Sequence, residues 1–361
     1  MTDITYAVIN LSALKYNLAV LKKRAPNSQV LAVIKANAYG HGMVKISQSL
    51  KGLYAVGVAR ISEALRLRDA GVETDILLLE GFFYEQNLPL LSENNLQTVV
   101  HSVEQMQAIL DADLSYPLKI WLKLDIGMHR LGFHPEEFET VYEKLTQSKN
   151  VQQPINIIGH FNCADELKNP VTKDQIALFE RFKQKVAGKA SLANSAGTLA
   201  WDAAHYDVIR PGIALYGVSP FVDEQSECAF EALRPVMTLK SQLIAVRTHK
   251  KGESVGYGAN WASENDTILG VVAMGYGDGY PRTAPAGTPV LVNGRIIPIV
   301  GRVSMDMLCV DLGLNAQDKV GDDVTLWGEG LPANQVAEHI GTIGYELITK
   351  LTSRVALKYV E

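Results

Sequence analysis

Lys35 stands directly after an apolar run at residues 30–34 (VLAVI), and reactive groups follow other apolar runs in the same way. The run at 118–124 leads into Lys123, Asp125 and Arg130. The run at 155–160 ends on His160, and the run at 190–194 ends on Asn194 with Ser195 next. The run at 206–209 is followed by Arg210, Pro211 and Gly212. A lysine leaving a buried strand is poorly solvated. Such a lysine can form a Schiff base with an aldehyde, once desolvation lowers its pKa from about 10.4. The bland alternative is a rim lysine reaching into solvent. The Asn37, Tyr39 and Gly40 that follow read as a compact polar turn rather than a solvated helix face.

The elements behind these groups alternate. Apolar runs at 30–34, 54–59, 76–79, 96–101, 118–124, 155–160, 190–194 and 206–209 are strand-sized. Continuous apolar strands are those buried on both faces, as in parallel sheets covered by helices. Amphipathic stretches lie between them, at 61–70, 103–112, 135–145 and 172–186. The first of these places Ile61, Ala64 and Leu65 on one side, and Gly71 stops it. Eight such repeats in about 200 residues predict an α/β fold with an N-terminal (β/α)8 barrel. A doubly wound open sheet is the rival, but no GxGxxG follows the first run. A short strand at 6–10 and a helix at 11–24 precede the count. In a barrel, reactive groups gather on the rim at the strands' C-terminal ends, which is where the groups above fall. Ser195 and the Gly212–Ile213 pair lie where backbone N–H groups commonly hold phosphate. An amine nucleophile and a phosphate site on one rim suggest pyridoxal 5'-phosphate, an aldehyde that carries a phosphate.

After about residue 230 the texture changes to short β-rich runs at 237–247, 268–273, 289–292, 296–300, 307–312 and 323–327. Asn293-Gly294 between two of them is a hairpin signal. Short helices are expected near 332–340 and 345–352. The predicted domains are therefore 1–230, a barrel, and 231–361, a mainly β domain, with residues 1–10 available to pair with the second. The chain has 361 residues, 47% of them hydrophobic, which suffices for two cores. Its 39 acidic residues outnumber 34 basic ones, which argues against a broad basic nucleic-acid surface. No apolar run approaches the roughly 20 residues of a membrane span. Cys163, Cys228 and Cys309 are scattered, with no CxxC and no HExxH, so neither a disulfide scaffold nor a metal site of those types is expected. With no secretory leader visible in MTDITYAVIN, the expected compartment is the cytoplasm.

The stretch VLAVIKANAYGHG (residues 30–42) resembles the cofactor-lysine signature of the alanine racemase family. LKLDIGMHRLGF (122–133), ANSAG (193–197), IRPGIALYG (209–217), VGYGANW (255–261), MGYGDGYPR (274–282), VGRVSMDM (300–307) and GYELIT (344–349) resemble that family in the expected order. The resemblance covers both halves of the chain. It implies interconversion of L- and D-alanine by two-base proton transfer on pyridoxal phosphate, supplying D-alanine for cell-wall peptidoglycan. It also implies a homodimer with active sites at the interface. Lys35 then holds the cofactor and is one base. Tyr257, supplied across the interface, is the other. Two bases on opposite faces of a planar Cα invert it directly. A tyrosine with an ordinary pKa of about 10 needs positive charge nearby to serve, and His160 and Arg210 resemble the network that provides it.

By the same resemblance, Tyr39, Asn194, Ser195, Gly212, Ile213 and Tyr345 bind the cofactor, mostly through its phosphate. Arg210 faces the pyridine nitrogen. As an arginine it cannot accept a proton there, so the ring stays a weaker electron sink. Arg130 and the backbone N–H of Met305 meet the substrate carboxylate, with Asp306 in the same loop. Lys123 resembles a lysine often found carbamylated, which would turn a neighbour that repels Arg130 into one that pairs with it. Tyr257 and Tyr345 narrow the site in favour of alanine. Asp165, Tyr276 and Arg282 resemble residues of the channel leading in. The family often has Cys before the Met-Asp of the substrate loop, whereas this chain has Ser304. A broader racemase acting on serine or other small amino acids is the near alternative. A decarboxylase of basic amino acids would need acidic groups for a distal ammonium. A single-barrel cofactor carrier would have no use for the second half.

Overall fold

The computed structural model describes residues 4–221 and 232–361. The chain begins with β1 (Tyr6–Asn10), and Asn10 caps the helix Leu11–Arg24 by accepting the Ala13 N–H at 2.9 Å. The eight apolar runs then become eight parallel strands: β2 (Gln29–Val33), β3 (Ala55–Val58), β4 (Ile76–Leu78), β5 (Leu96–Val100), β6 (Ile120–Lys123), β7 (Asn156–Ile158), β8 (Ala190–Ser191) and β9 (Val208–Ile209). Their order is β8-β7-β6-β5-β4-β3-β2-β9, so the first barrel strand pairs with the last. That arrangement is the predicted barrel, closed except at one seam between β8 and β9. Both seam strands are only two residues long. Side chains close the gap. Asp207 accepts the Ala190 N–H at 2.8 Å, Ser191 Oγ donates to the Val208 carbonyl, and the Arg210 N–H reaches the Ala193 carbonyl at 2.8 Å.

The intervening helices lie near their predicted bounds. In the helix Ile61–Asp69, however, the buried residues are Ala64 and Leu67, while Ile61 and Leu65 are half-buried. The contact stripe is thus rotated from the expected one onto an i, i+3 pair.

The second half builds a separate sheet from β10 (Met237–His249), β11 (Thr267–Val272), β12 (Pro289–Val292), β13 (Arg295–Val300), β14 (Leu308–Asp311), β15 (Asp323–Trp327) and β16 (Ala356–Val360). β11 pairs with both β14 and β10, which closes six of these strands into a ring. Asn293 and Gly294, at φ 47° and 76°, make the tight turn between β12 and β13. β1 lies between β10 and β16, antiparallel to the first and parallel to the second. β16 had no counterpart in the sequence reading. Cys163 and Cys309 are free thiols, while Cys228 and the expected boundary at 230/231 lie outside the described residues.

The two halves meet at the barrel rim. Gly40 and Gly42 have φ of 83° and 88°. A Cβ on Gly40 would stand 2.1 Å from the Ile348 carbonyl oxygen, and one on Gly42 1.9 Å from the Tyr359 hydroxyl. Only glycine meets both demands, and it lets the helix Gly344–Thr349 and β16 pack directly on the segment after Lys35.

Candidate active site

Residues 36–39 leave β2 in a left-handed turn, with φ of 52°, 54°, 56° and 51° at Ala36, Asn37, Ala38 and Tyr39. For residues with a Cβ this conformation costs about 1–2 kcal/mol each. Several bonds hold it. Glu63 accepts the Ala36 N–H at 2.7 Å through Oε1 and the Ala59 and Arg60 N–H groups at 2.9 and 3.1 Å through Oε2. Asn37 Oδ1 accepts the Met43 N–H at 3.1 Å. Beneath the turn, His41 is completely buried, and its Nδ1 lies 3.0 Å from the Ala38 carbonyl and 2.8 Å from the Tyr39 carbonyl. Both partners are acceptors, so Nδ1 carries the proton. Nε2 has no partner among the described residues, and the ring packs on Tyr216 with centroids 4.5 Å apart. Burial pulls the His41 pKa down to about 4, against the two carbonyl bonds that favour its charged form. The turn sets Lys35 on the rim, with its Nζ 3.9 Å from Glu80.

The far side of the rim is a cradle of donors and hydroxyls. Ser195 Oγ receives the N–H groups of Gly212 and Ala214 at 2.9 and 3.2 Å. Asn194 caps the short helix Ser195–Ala200 by accepting the Gly197 N–H at 2.8 Å. Ile213 opens the tight turn Ile213–Tyr216 just beyond. The Tyr39 hydroxyl crowds Gly212 so closely that a Cβ there would lie 2.5 Å from it. Tyr39 stacks on Tyr216 at 4.9 Å and meets Tyr345, from the helix Gly344–Thr349, at 6.2 Å. Burial pushes Tyr39 up to about 12 and Tyr345 well above its ordinary value. Both therefore stay protonated hydroxyls that can donate.

The floor is cationic. Arg210 is buried and donates to Ser191 Oγ at 2.7 Å, to the Gly159 carbonyl at 2.6 Å and toward His160 Nδ1 at 3.4 Å. Among the described residues no carboxylate pairs with it and nothing accepts its Nε–H. Desolvation lowers its pKa, yet these acceptors suit a guanidinium that stays charged. Burial, followed by the charges of Arg210 and Arg130, lowers Lys123 to about 8. Burial and the same cations hold His160 well below its ordinary pKa, so it is a neutral imidazole. Asp125 offsets this charge only in part. Its carboxylate turns to the Gly127 and His129 N–H groups at 3.0 and 3.1 Å and pins the loop that carries Arg130. A buried concentration of positive charge with free donors suits an anionic ligand.

The remaining sequence-predicted residues lie apart from this rim. Asp165 faces Tyr345 and helps to raise its pKa. Tyr257 is 69% exposed, in a tight turn between Gly256 and Gly258. Met305, Asp306, Tyr276 and Arg282 are also exposed. Backbone bonds join two of their loops, Tyr276 N–H to the Ser304 carbonyl at 3.1 Å and Gly277 N–H to the Met305 carbonyl at 2.8 Å. Asp306 pairs with Arg354 at 2.8 Å. Among the described residues, no hydrogen bond or ion pair joins Tyr257, Met305, Asp306, Tyr276 or Arg282 to Lys35. Sequence reasoning missed His41, Glu63, Glu80 and Tyr216. The available signals were the histidine set between two glycines and the glutamate three residues after Arg60 at a helix start.

Residues 9–220 match the family model for the N-terminal domain of alanine racemase, and residues 236–359 match that for its C-terminal domain. The chain is 58% identical over 354 residues to an alanine racemase of Aeromonas hydrophila, covering 98% of this chain and 99% of that one. It superposes on the crystal structure of a biosynthetic alanine racemase from Pseudomonas aeruginosa with a TM-score of 0.96 at 45% identity, over the full length of both chains. The alanine racemase of Bartonella henselae, solved with covalently bound pyridoxal phosphate, gives a TM-score of 0.90 at 28% identity. That match covers 99% of this chain and all of the other.

His41 makes stability pH-dependent with a definite sign. Between pH 6.5 and 4 the unfolded chain binds a proton that the folded chain refuses, so stability is full above 6.5 and falls by about 3 kcal/mol by pH 4. In urea unfolding, His41→Gln is expected to be less stable at pH 7, with the gap to wild type narrowing by about that amount at pH 4. A gap independent of pH would show that His41 titrates normally.

Proposed function

The chain belongs to the alanine racemase family, and we propose that it interconverts L- and D-alanine with pyridoxal 5'-phosphate held on Lys35. The observation that carries this reading is the shared rim of Lys35, the Ser195–Gly212 cradle and an Arg210 without a carboxylate. Each part of the cofactor has a matching group. The aldehyde needs an amine, which Lys35 offers at the end of β2. The phosphate needs hydrogen-bond donors, which suits the Tyr39 and Tyr345 hydroxyls and the backbone around Ser195, Gly212 and Ile213. The ring nitrogen needs a donor that never takes its proton, and the free Nε–H of Arg210 is one. When bound, the cofactor withdraws electrons from the substrate and acidifies its Cα–H bond.

The protein's own residues do the rest. The Lys35 amine takes or returns the Cα proton on one face. The partner subunit's Tyr257 serves the opposite face, in a homodimer whose sites lie at the interface. Its exposure in a single chain suits a residue that acts on a neighbour. Arg130 and the Met305 N–H, which has no acceptor among the described residues, orient the substrate carboxylate. Asp306 sits in the same loop. Neutral His160 accepts from Arg210 and holds it in place. Tyr345 and Tyr257 leave little room beside Cα, which selects alanine. Asp165, Tyr276 and Arg282 line the approach. A homodimeric cytoplasmic enzyme supplying D-alanine to peptidoglycan accords with the biosynthetic neighbour. Among the described residues no helix is long and apolar enough to cross a membrane.

Lys123 has a further part. An amine lowered to about 8 is a nucleophile for carbon dioxide. It attacks the carbon, an N–C bond forms, and a proton leaves, giving a carbamate anion beside Arg130. A carbamate carbon signal from protein equilibrated with carbon-13 bicarbonate is expected, and its absence after Lys123→Ala would place it. Persistence of the signal in that variant would remove Lys123 from this role.

Complementation tests the whole reading. Lys35→Ala and Tyr257→Phe are each expected to lose nearly all racemisation of alanine, followed as the decay of optical activity. If Tyr257 acts in trans, unfolding and refolding an equal mixture restores one intact site in each mixed dimer. That is about a quarter of wild-type activity. A mixture as inactive as its parents would sink the two-subunit site.

A further inference from the structure

We infer that Asp125, His129 and His134 form a binding site for a divalent late-transition-metal ion, such as Zn²⁺, Ni²⁺ or Cu²⁺, at the outer end of the loop that carries Arg130. Ligand atoms of the three side chains lie within 4.8 Å of one another. Two imidazoles and a carboxylate are a donor set suited to these ions, with water in the remaining positions. Asp125 Oδ2 and His129 Nδ1 are 3.0 Å apart. Two donors each about 2.1 Å from an ion and at right angles to each other are about 3.0 Å apart, so this pair already has the spacing of adjacent ligands. His134 supplies the third ligand atom, within 4.8 Å of the other two. Its ring lies 6.0 Å from that of His129 at a 30° tilt.

The surroundings orient the donors. Asp125 Oδ1 is occupied by the Gly127 and His129 N–H groups, which leaves Oδ2 aimed at the imidazole. The Asp125 side chain is 5% exposed and that of His129 70%, so the carboxylate is fixed while the ion and its waters have access. The main chain at His134 is anchored by its backbone N–H bond to Glu137 at the start of the helix Pro135–Thr146. These ligands are the first residue of the loop, the residue before Arg130 and the residue at its far end. Arg130 makes no hydrogen bond or ion pair among the described residues, so the loop alone sets its position. An ion would staple that loop at three points. On the reading that Arg130 meets the substrate carboxylate, occupancy changes KM for alanine more than kcat.

The test uses untagged holoenzyme freed of metal with a chelator and titrated calorimetrically with NiCl₂, and separately with CuCl₂ by electron paramagnetic resonance. Expected are one ion per chain, a copper spectrum with nitrogen coupling, and at least tenfold weaker binding in both His134→Gln and His129→Gln. His134→Gln is expected to keep the metal-free activity and to lose the effect of nickel on KM. Equal binding by wild type and both variants would overturn the site. Binding that leaves KM unchanged would overturn its link to Arg130. Because binding is read by heat and spectrum, failure of the racemase reading would leave the site itself tested.

Discussion

The turn from Lys35 to Gly42 is the constraint on which the rest of the site depends. Four consecutive residues with side chains are held left-handed, at a cost of several kcal/mol that local sequence preference does not offset. The stabilisation comes from outside the segment: Glu63 from the next helix, His41 folded underneath, and the second sheet packed on Gly40 and Gly42. Such a turn presents Lys35 and Tyr39 from one short stretch without the freedom of an ordinary loop. It also ties the domains together, because the glycines that complete the turn are those through which the helix Gly344–Thr349 brings in Tyr345.

Arg210 shows a second economy. The barrel's seam lies between two strands too short to bond along their length, and this arginine spans it through Ser191, Gly159 and Leu192. The same side chain lies in the cationic floor. Burial first, and then its charge with those of Lys123 and Arg130, keeps His160 neutral, and the same charges favour anionic ligands. Structural closure and ligand selection are thus carried by one buried cation, and a carboxylate beside it would weaken the second role.

Much of this was legible in the chain. The eight apolar runs became the eight barrel strands because two-sided burial leaves a continuous apolar record. The residues after them fell on one rim because parallel strands all end on the same side. The left-handed turn was not legible. Ala36 and Ala38 carry no signal for positive φ, and the groups that force it come from Glu63 and His41. The sequence leaves residues 1–10 available to pair with the second half, but which strands β1 joins, β10 and β16, is a long-range choice that a five-residue run cannot specify. Tyr257 was legible only through its motif, since the role proposed for it lies on a neighbouring chain and in its own chain it is exposed. The gathering of Asp125, His129 and His134 depends on a loop reversal, and their spacing matches no familiar ligand pattern.

The central claim is that this turn aims Lys35, rather than another rim lysine, at the cofactor cradle. Borohydride reduction of the yellow holoenzyme fixes a lysine-bound aldehyde, and mass spectrometry of its peptides locates the label. The account predicts a single phosphopyridoxyl group on Lys35. A label on Lys123, or none on either lysine in a protein that retains its cofactor, would contradict it.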